Sequence, residues 1–444
     1  MKTIKFLTCL LLALFMGTTA RSQTPAVYLS GSINGKTKVI SNKGQTYNYN
    51  EPVITSLGAN KNGVYALART REVAYTSLEH NENTFDWGQH WYQPRWNCKL
   101  TGGGVVYNNN SVYKSYTDPD WGNEDFYSSL VMKVSGQNVI VAGVRTKKYQ
   151  YLIKNKPFIG FESMQIGEVN KLSVFRGTWQ HQGNAGKYSA RWRDEPLKKL
   201  RPMVCHITDC AYYNGKIYAV GCKEHDGSAY NMSSAHTDSY YNHRAQIWEN
   251  GKDFMQVSSG DFSNSWANSI TCIRDKNRNN HFYTCGFKWQ PFQYLYDDAY
   301  RAGINSHKVK HMGLIWRDKK EVTKLYEQKP GRDKGYPEYE SQVEKQVIIN
   351  YAYGYYLIDG DLYEVQFKDD GSIKSKTQVI GGGVWDICFP GVFRDGGCYA
   401  LVRVNDEDKV YKVDFGGKRK LIHNFGKTGM TDMLIAVCED TSVR

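Results

Sequence analysis

Apolar residues along this chain come in short runs rich in Val, Ile, Tyr and Ala, separated by Gly, Asn and Asp. The clearest unit is Ile207-Thr-Asp-Cys-Ala-Tyr-Tyr, then Asn214-Gly215, then Lys216-Ile-Tyr-Ala-Val-Gly. It predicts a strand, an Asn-Gly hairpin turn and a return strand. Ile54-Thr-Ser-Leu with Val64-Tyr-Ala-Leu-Ala repeats the pattern, as do Ser129-Leu-Val-Met with Asn138-Val-Ile-Val-Ala-Gly. Ile270-Thr-Cys-Ile with His281-Phe-Tyr-Thr-Cys-Gly is a further copy. Looser copies run from Val347 to Tyr363 and from Val384-Trp-Asp-Ile-Cys to Gly397-Cys-Tyr-Ala-Leu-Val.

A second phrase puts a Trp before a polar turn: Trp192, Trp248 and Trp316, at intervals of about 55–70 residues. Such a period marks a repeat architecture. Two hairpins per repeat give four strands per unit, the pattern of a β-propeller. The chain ends fit ring closure. Thr431-Asp-Met-Leu-Ile-Ala-Val matches a first strand without its partner, and Ala26-Val-Tyr-Leu-Ser-Gly matches a second strand without its first. Pairing them in one blade removes the exposed edges of an open array. The expectation is an all-β propeller of seven blades, with six or eight still open, spanning 23–444 as a single domain. Trp192, Trp248 and Trp316 are expected to pack between blades.

Residues 1–22 read as a signal peptide. Lys2 and Lys5 precede an apolar stretch from Phe6 to Met16, and small residues follow up to Ser22. That stretch is too short to span a bilayer, and no later segment is apolar for long enough. The expectation is an exported protein, periplasmic, surface-held or secreted, that does not span the membrane and is a monomer. The net charge of +13 is spread along the chain. It is not gathered with stacking aromatics on one element, so no nucleic-acid partner is expected. Export permits disulfides, and Cys210 with Cys222, Cys272 with Cys285, and Cys388 with Cys398 each straddle a predicted hairpin. The favoured reading is that these are small buried residues in repeat-equivalent core slots, with a bridge as the alternative. No CxxC or zinc-ligand spacing occurs, so neither a metal nor a cofactor is expected.

The export signal, the "Lys-Ile-Tyr-Ala-Val-Gly" strand and the "Ile-Trp-Glu-Asn-Gly-Lys" strand resemble secreted propeller proteins of Bacteroidetes-type bacteria. That resemblance covers most of the mature chain and implies fold and export, without implying an activity.

Function in such a fold belongs to residues in excess of the repeat. Three stretches joining a second strand to a third are long and aromatic: 69–98, 223–243 and 287–307. They carry Trp87, Trp91, Tyr92 and Trp96, then Tyr240 and Tyr241, then Trp289, Tyr294 and Tyr296. All three should leave the same face. Their rings could pack on one another, or offer flat apolar surfaces to a glycan or an extracellular or envelope protein. A second pattern is acidic. Asp209, Asp386 and Asp432 align at the start of innermost strands, where Ser56 and Cys272 stand in other repeats. Facing carboxylates could serve a glycoside hydrolase or lyase. They could equally hydrogen-bond the backbone of the next blade, which is the favoured reading. The leading expectation is therefore a binding module. A carbohydrate-active enzyme at the channel mouth and a purely structural envelope protein are the alternatives.

Overall fold

The computed structural model describes residues 24–69, 85–86, 89–90, 103–116, 125–153, 156–169, 174–179, 205–224, 243–257, 264–291, 309–327, 343–389 and 397–438. Among these the strands assemble into seven four-stranded antiparallel sheets and one two-residue ladder, Phe85–Asp86 with Gln89–His90. The first sheet runs from Val53–Asn60 and Gly63–Arg69 to Gly104–Asn108 and Ser111–Ser115. The second holds Asp125–Ser135, Asn138–Ile153, Lys156–Val169 and Val174–Trp179. The third holds Cys205–Tyr213, Lys216–Glu224, His243–Glu249 and Lys252–Gln256. The fourth holds Asn264–Arg274, Asn280–Pro291, Val309–Arg317 and Lys320–Glu327. The fifth holds Val343–Asn350, Tyr353–Ile358, Asp361–Phe367 and Ile373–Ile380. The sixth holds Val384–Cys388, Gly397–Val404, Glu407–Asp414 and Arg419–Asn424. The seventh joins both chain ends, with Thr431–Cys438 leading into Ala26–Ile33, Lys36–Ser41 and Thr46–Tyr49.

The first strand of each sheet touches the first strand of the next, and Thr431–Cys438 touches Val53–Asn60. The first strands thus line one closed ring, which is a β-propeller arrangement. Closure follows the expected pairing, with Val27 opposite Val437 and Leu29 opposite Ile435.

Each second strand is packed on both faces by neighbouring sheets. That is why Val64 to Ala68 are all buried and apolar without alternation. The core is accordingly a set of separate layers, each between two successive sheets. Trp248 lies in the layer with Val131, Ile140 and Ile207, and Trp316 in the layer with Tyr218 and Ile247. Both indoles are fully buried, as expected, while Trp192 lies outside the described residues. The hairpin turns use the predicted chemistry: Asn214 and Gly215 have φ of 49° and 77°, and Asn250 and Gly251 have 48° and 67°.

One device recurs that the letters do not announce. Every first strand carries a one-residue bulge in its first half, at Thr55, Thr208, Asn268, Glu344 and Trp385, and also near Leu130 and Asp432. A bulge bends and twists its strand, here at the end of the ring where second strands finish. Glycine on the second strand makes room for it. A Cβ added to Gly286 would sit 1.9 Å from the Trp266 carbonyl oxygen.

The cysteine pairs are not bridged. Cys210 faces Ala219, Cys272 faces Phe282 and Cys388 faces Tyr399, so hairpin register sets each thiol against another residue. None of the six is in a disulfide, and burial pushes the thiols of Cys210, Cys285 and Cys398 well above the ordinary range.

Candidate functional site

The channel carboxylates come first because the fold fixes them most tightly. Asp209 Oδ1 accepts the Cys210 amide at 2.8 Å. Its Oδ2 accepts the Ile270 amide of the next sheet at 3.0 Å, and the Ser269 hydroxyl at 2.8 Å. Lys133, from the preceding sheet, donates to the same oxygen at 3.3 Å. Asp386 repeats this wiring. It accepts the Ile387 amide at 2.9 Å, the Ile435 amide of the next sheet at 2.9 Å, and Lys345 Nζ of the preceding sheet at 2.6 Å. Ser56 does the same with one atom, accepting the Met132 amide of the next sheet at 3.0 Å.

The physical need is plain. The channel-side edge of each first strand has no strand partner, and its buried N–H groups must find acceptors elsewhere. Asp209 and Asp386 supply them, and a lysine balances each charge. Burial works against the Lys345 ammonium, but Asp386 beside it wins, and the lysine pKa lies above its ordinary value. Asp386 is only 2% exposed. These are carboxylates committed to joining sheets, the structural role favoured from sequence.

Two members of the sequence alignment are misplaced. Asp432 is exposed, sits at φ 50° within the bulge, and accepts only the Thr431 hydroxyl at 3.2 Å among the bonds found for it. The strand position matching Asp386 is Leu434, immediately before Ile435. Likewise Ser269, and not Cys272, occupies the Asp209 position in the fourth sheet, since both follow the bulge by one residue. Lys133 and Lys345, the cations that complete the two clusters, were not singled out in the sequence. Each reaches its aspartate from another sheet, and no local pattern signals that contact.

The predicted binding rings fall largely outside the described residues: Trp87, Trp91, Tyr92, Trp96, Tyr240, Tyr241, Tyr294 and Tyr296 all do. Trp289 is placed by its backbone alone. It lies within the strand Asn280–Pro291, opposite Asn264 and His311, so that strand runs further than the 287–307 loop reading allowed. The attachment points of the three stretches are nevertheless clear. They join second to third strands in the first, third and fourth sheets, and so depart from one end of the ring. In the second sheet the same connection is a long hairpin, paired from Ile140 opposite Val169 out to Ile153 opposite Lys156. The fifth, sixth and seventh sheets instead close this connection with two residues, at 359–360, 405–406 and 34–35. Counted by these second-to-third connections alone, one arc of this end is elaborated and the other is bare.

On the bare arc the bulge residues themselves are on view. Trp385 is 39% exposed, and the Arg403 guanidinium lies 5.2 Å from its ring centroid. Arg403 is locked in turn by Asp408, at 2.7 and 3.1 Å, and by the Met430 carbonyl at 2.7 Å. Ahead of Trp385 run three exposed glycines, 381–383, pinned to the fifth sheet where Gly382 N donates to Asp361 Oδ1 at 2.6 Å. Glu344 holds the bulge position of the adjoining first strand. Burial, with Asp359 and Asp386 nearby, pushes its carboxyl up to about 6. Sequence reading passed over Glu344 because it has no repeated counterpart.

Among the described residues no group of three His, Cys, Asp or Glu could hold a metal ion, and no helix is long and apolar enough to cross a membrane. No family model and no curated protein matches the chain. Among solved structures, a Lactobacillus plantarum protein is 11% identical over 93% of this chain and 98% of its own, with a TM-score of 0.37. A putative 6-phosphogluconolactonase from Bacteroides fragilis is 9% identical over 94% and 99%, also at 0.37. A Trypanosoma rangeli sialidase is 10% identical over 79% and 59%, at 0.23. Overlaps this loose say nothing of what the chain binds or catalyses.

Proposed function

We propose that this chain is an exported seven-bladed propeller acting as a binding module, whose ligand is a glycan or an extracellular protein. The observation that carries the reading is the asymmetry of one end of the ring. There, the first, third and fourth sheets send out long connections between second and third strands, and those stretches concentrate Trp and Tyr. Aromatic rings with a polar edge suit the C–H faces of sugars and the anchor positions of protein interfaces. Loops gathered at one end of a rigid ring give several contacts without reordering the scaffold.

The enzyme alternative required free carboxylates converging in the channel. Asp209 and Asp386 are each spent on a lysine and two backbone amides, which leaves neither disposed as an acid or nucleophile. Export rests on the Lys2–Ser22 leader pattern, and the mature chain would start near Gln23.

A glycan-array screen tests the binding reading, run on the mature chain and on a variant with Trp87, Trp91 and Trp289 changed to Ala. Binding by the wild type that the variant loses supports it. Array signals that all survive in the variant, or none to glycans or to envelope proteins from the source cell, overturn it.

A further inference from the structure

We propose that Trp385, Glu344 and the backbone of Gly381, Gly382 and Gly383 form a binding site for a single uncharged sugar residue on the bare arc. It stands at the same end of the ring as the long connections but on the fifth and sixth sheets, so it does not depend on them.

Three features converge there. The first is an exposed indole that is already rigid. Arg403 covers one side of Trp385, and Asp408 with the Met430 carbonyl fixes Arg403. A ligand stacking on the open side therefore orders no loose side chain, which removes a common cost of binding. The second is an absence of side chains beside the ring. Gly381, Gly382 and Gly383 are exposed, and φ of 71° and 74° at Gly382 and Gly383 requires glycine. At Gly382 an added Cβ would meet nothing within 4 Å, so its backbone stands clear, whereas the Arg403 carbonyl and Gln378 fill that space at Gly383 and Gly381. The segment is held in place by Asp361 and by the Val384 amide, which donates to the Gly360 carbonyl at 3.0 Å.

The third feature is Glu344. It occupies the same bulge position on the neighbouring first strand and is close enough for Asp386, the residue after Trp385, to raise its pKa. A half-buried carboxyl there accepts hydroxyl hydrogen bonds while the indole takes the C–H face of the ring. That pairing of one stacking ring with one acceptor fits a sugar.

A cationic ligand would also like Trp and Glu, but the Trp385 ring already carries the Arg403 guanidinium. A second cation on that ring would face the first across one π-system, losing what a cation–π contact gains. The site therefore selects a neutral ligand.

Saturation-transfer NMR on the full mature chain tests this, with the methyl glycosides of glucose, galactose and mannose as probes and choline as the cationic control. At least one glycoside should receive saturation from the wild type. Trp385→Ala should weaken it roughly tenfold, the worth of one stacked ring, and Glu344→Gln should weaken it several-fold by the loss of an anionic acceptor. Trp385→Phe should recover part of the signal, which separates stacking from misfolding. The Trp87, Trp91 and Trp289 triple variant should bind these probes as the wild type does, so this site and the long connections can fail separately. No transfer to any glycoside, equal transfer in Trp385→Ala, or transfer to choline alone would overturn the proposal.

Discussion

Replacing Asp386 with alanine tests whether the channel carboxylates hold the ring together. The wild-type carboxylate satisfies the amides of Ile387 and Ile435 and the ammonium of Lys345. Lys345 keeps about 40% of its side chain exposed, so water can take over its solvation at small cost. The amides cannot be rescued so easily, because Ile387 and Ile435 are 0% and 1% exposed. A buried donor left without an acceptor costs about 1–3 kcal/mol. Two such donors bring the expected destabilisation to about 2–6 kcal/mol. Urea unfolding followed by tryptophan fluorescence would measure it. Asp432→Asn is the matched control: exposed, outside this register and tolerant of the same φ of 50°, it should shift stability by under about 0.5 kcal/mol. Equal effects of the two substitutions, or a cost below about 1 kcal/mol for Asp386→Ala, would refute the structural role.

Other substitutions probe separate parts of the account. Glu344 has a folded pKa of about 6 against 4.5 for the free side chain, so its protonated form favours folding below pH 4.5 and that contribution is lost as pH rises through 6. Glu344→Gln should therefore be more stable than wild type at pH 7–8, by less than the ~2 kcal/mol of an unscreened shift because the carboxyl is only half-buried, with no advantage near pH 4, in paired urea titrations. Gly286→Ala must move the backbone at Trp266 and Ala267, and should cost about 1–3 kcal/mol or more; a neutral melting temperature would contradict the bulge geometry. Arg403→Ala strands the fully buried Asp408 beside the closing sheet, with about 3–5 kcal/mol lost in denaturant unfolding, and Arg403→Lys should recover only part.

What could be read from the letters was whatever a strand repeats locally. The 207–221 hairpin, its Asn-Gly turn, the buried Trp248 and Trp316, and the pairing of the two chain ends are all set by alternation, turn chemistry and burial within a few residues. The errors arose where different residues do one job. Ser269 and Asp209 share a strand position, and the Ser269 hydroxyl donates to Asp209, yet matching letters aligned Cys272 with Asp209 and Asp432 with Asp386. A one-residue bulge shifts such alignments silently, since the side-chain period of a strand is two. The cysteines stay unbridged, as the core-residue reading had it, because hairpin proximity in sequence does not set them opposite one another. Lys133, Lys345 and Glu344 matter through contacts with other sheets, which only the closed ring creates.

The most direct test of the central claim, that the channel carboxylates are structural and the elaborated end binds, is the glycan-array profile of one further variant. Asp209→Asn with Asp386→Asn should keep the wild-type binding pattern under conditions where the protein remains folded, while the Trp87, Trp91 and Trp289 variant loses it. The opposite result, binding abolished by the folded double Asn variant and untouched by the triple Trp variant, would place the site in the channel and contradict the account.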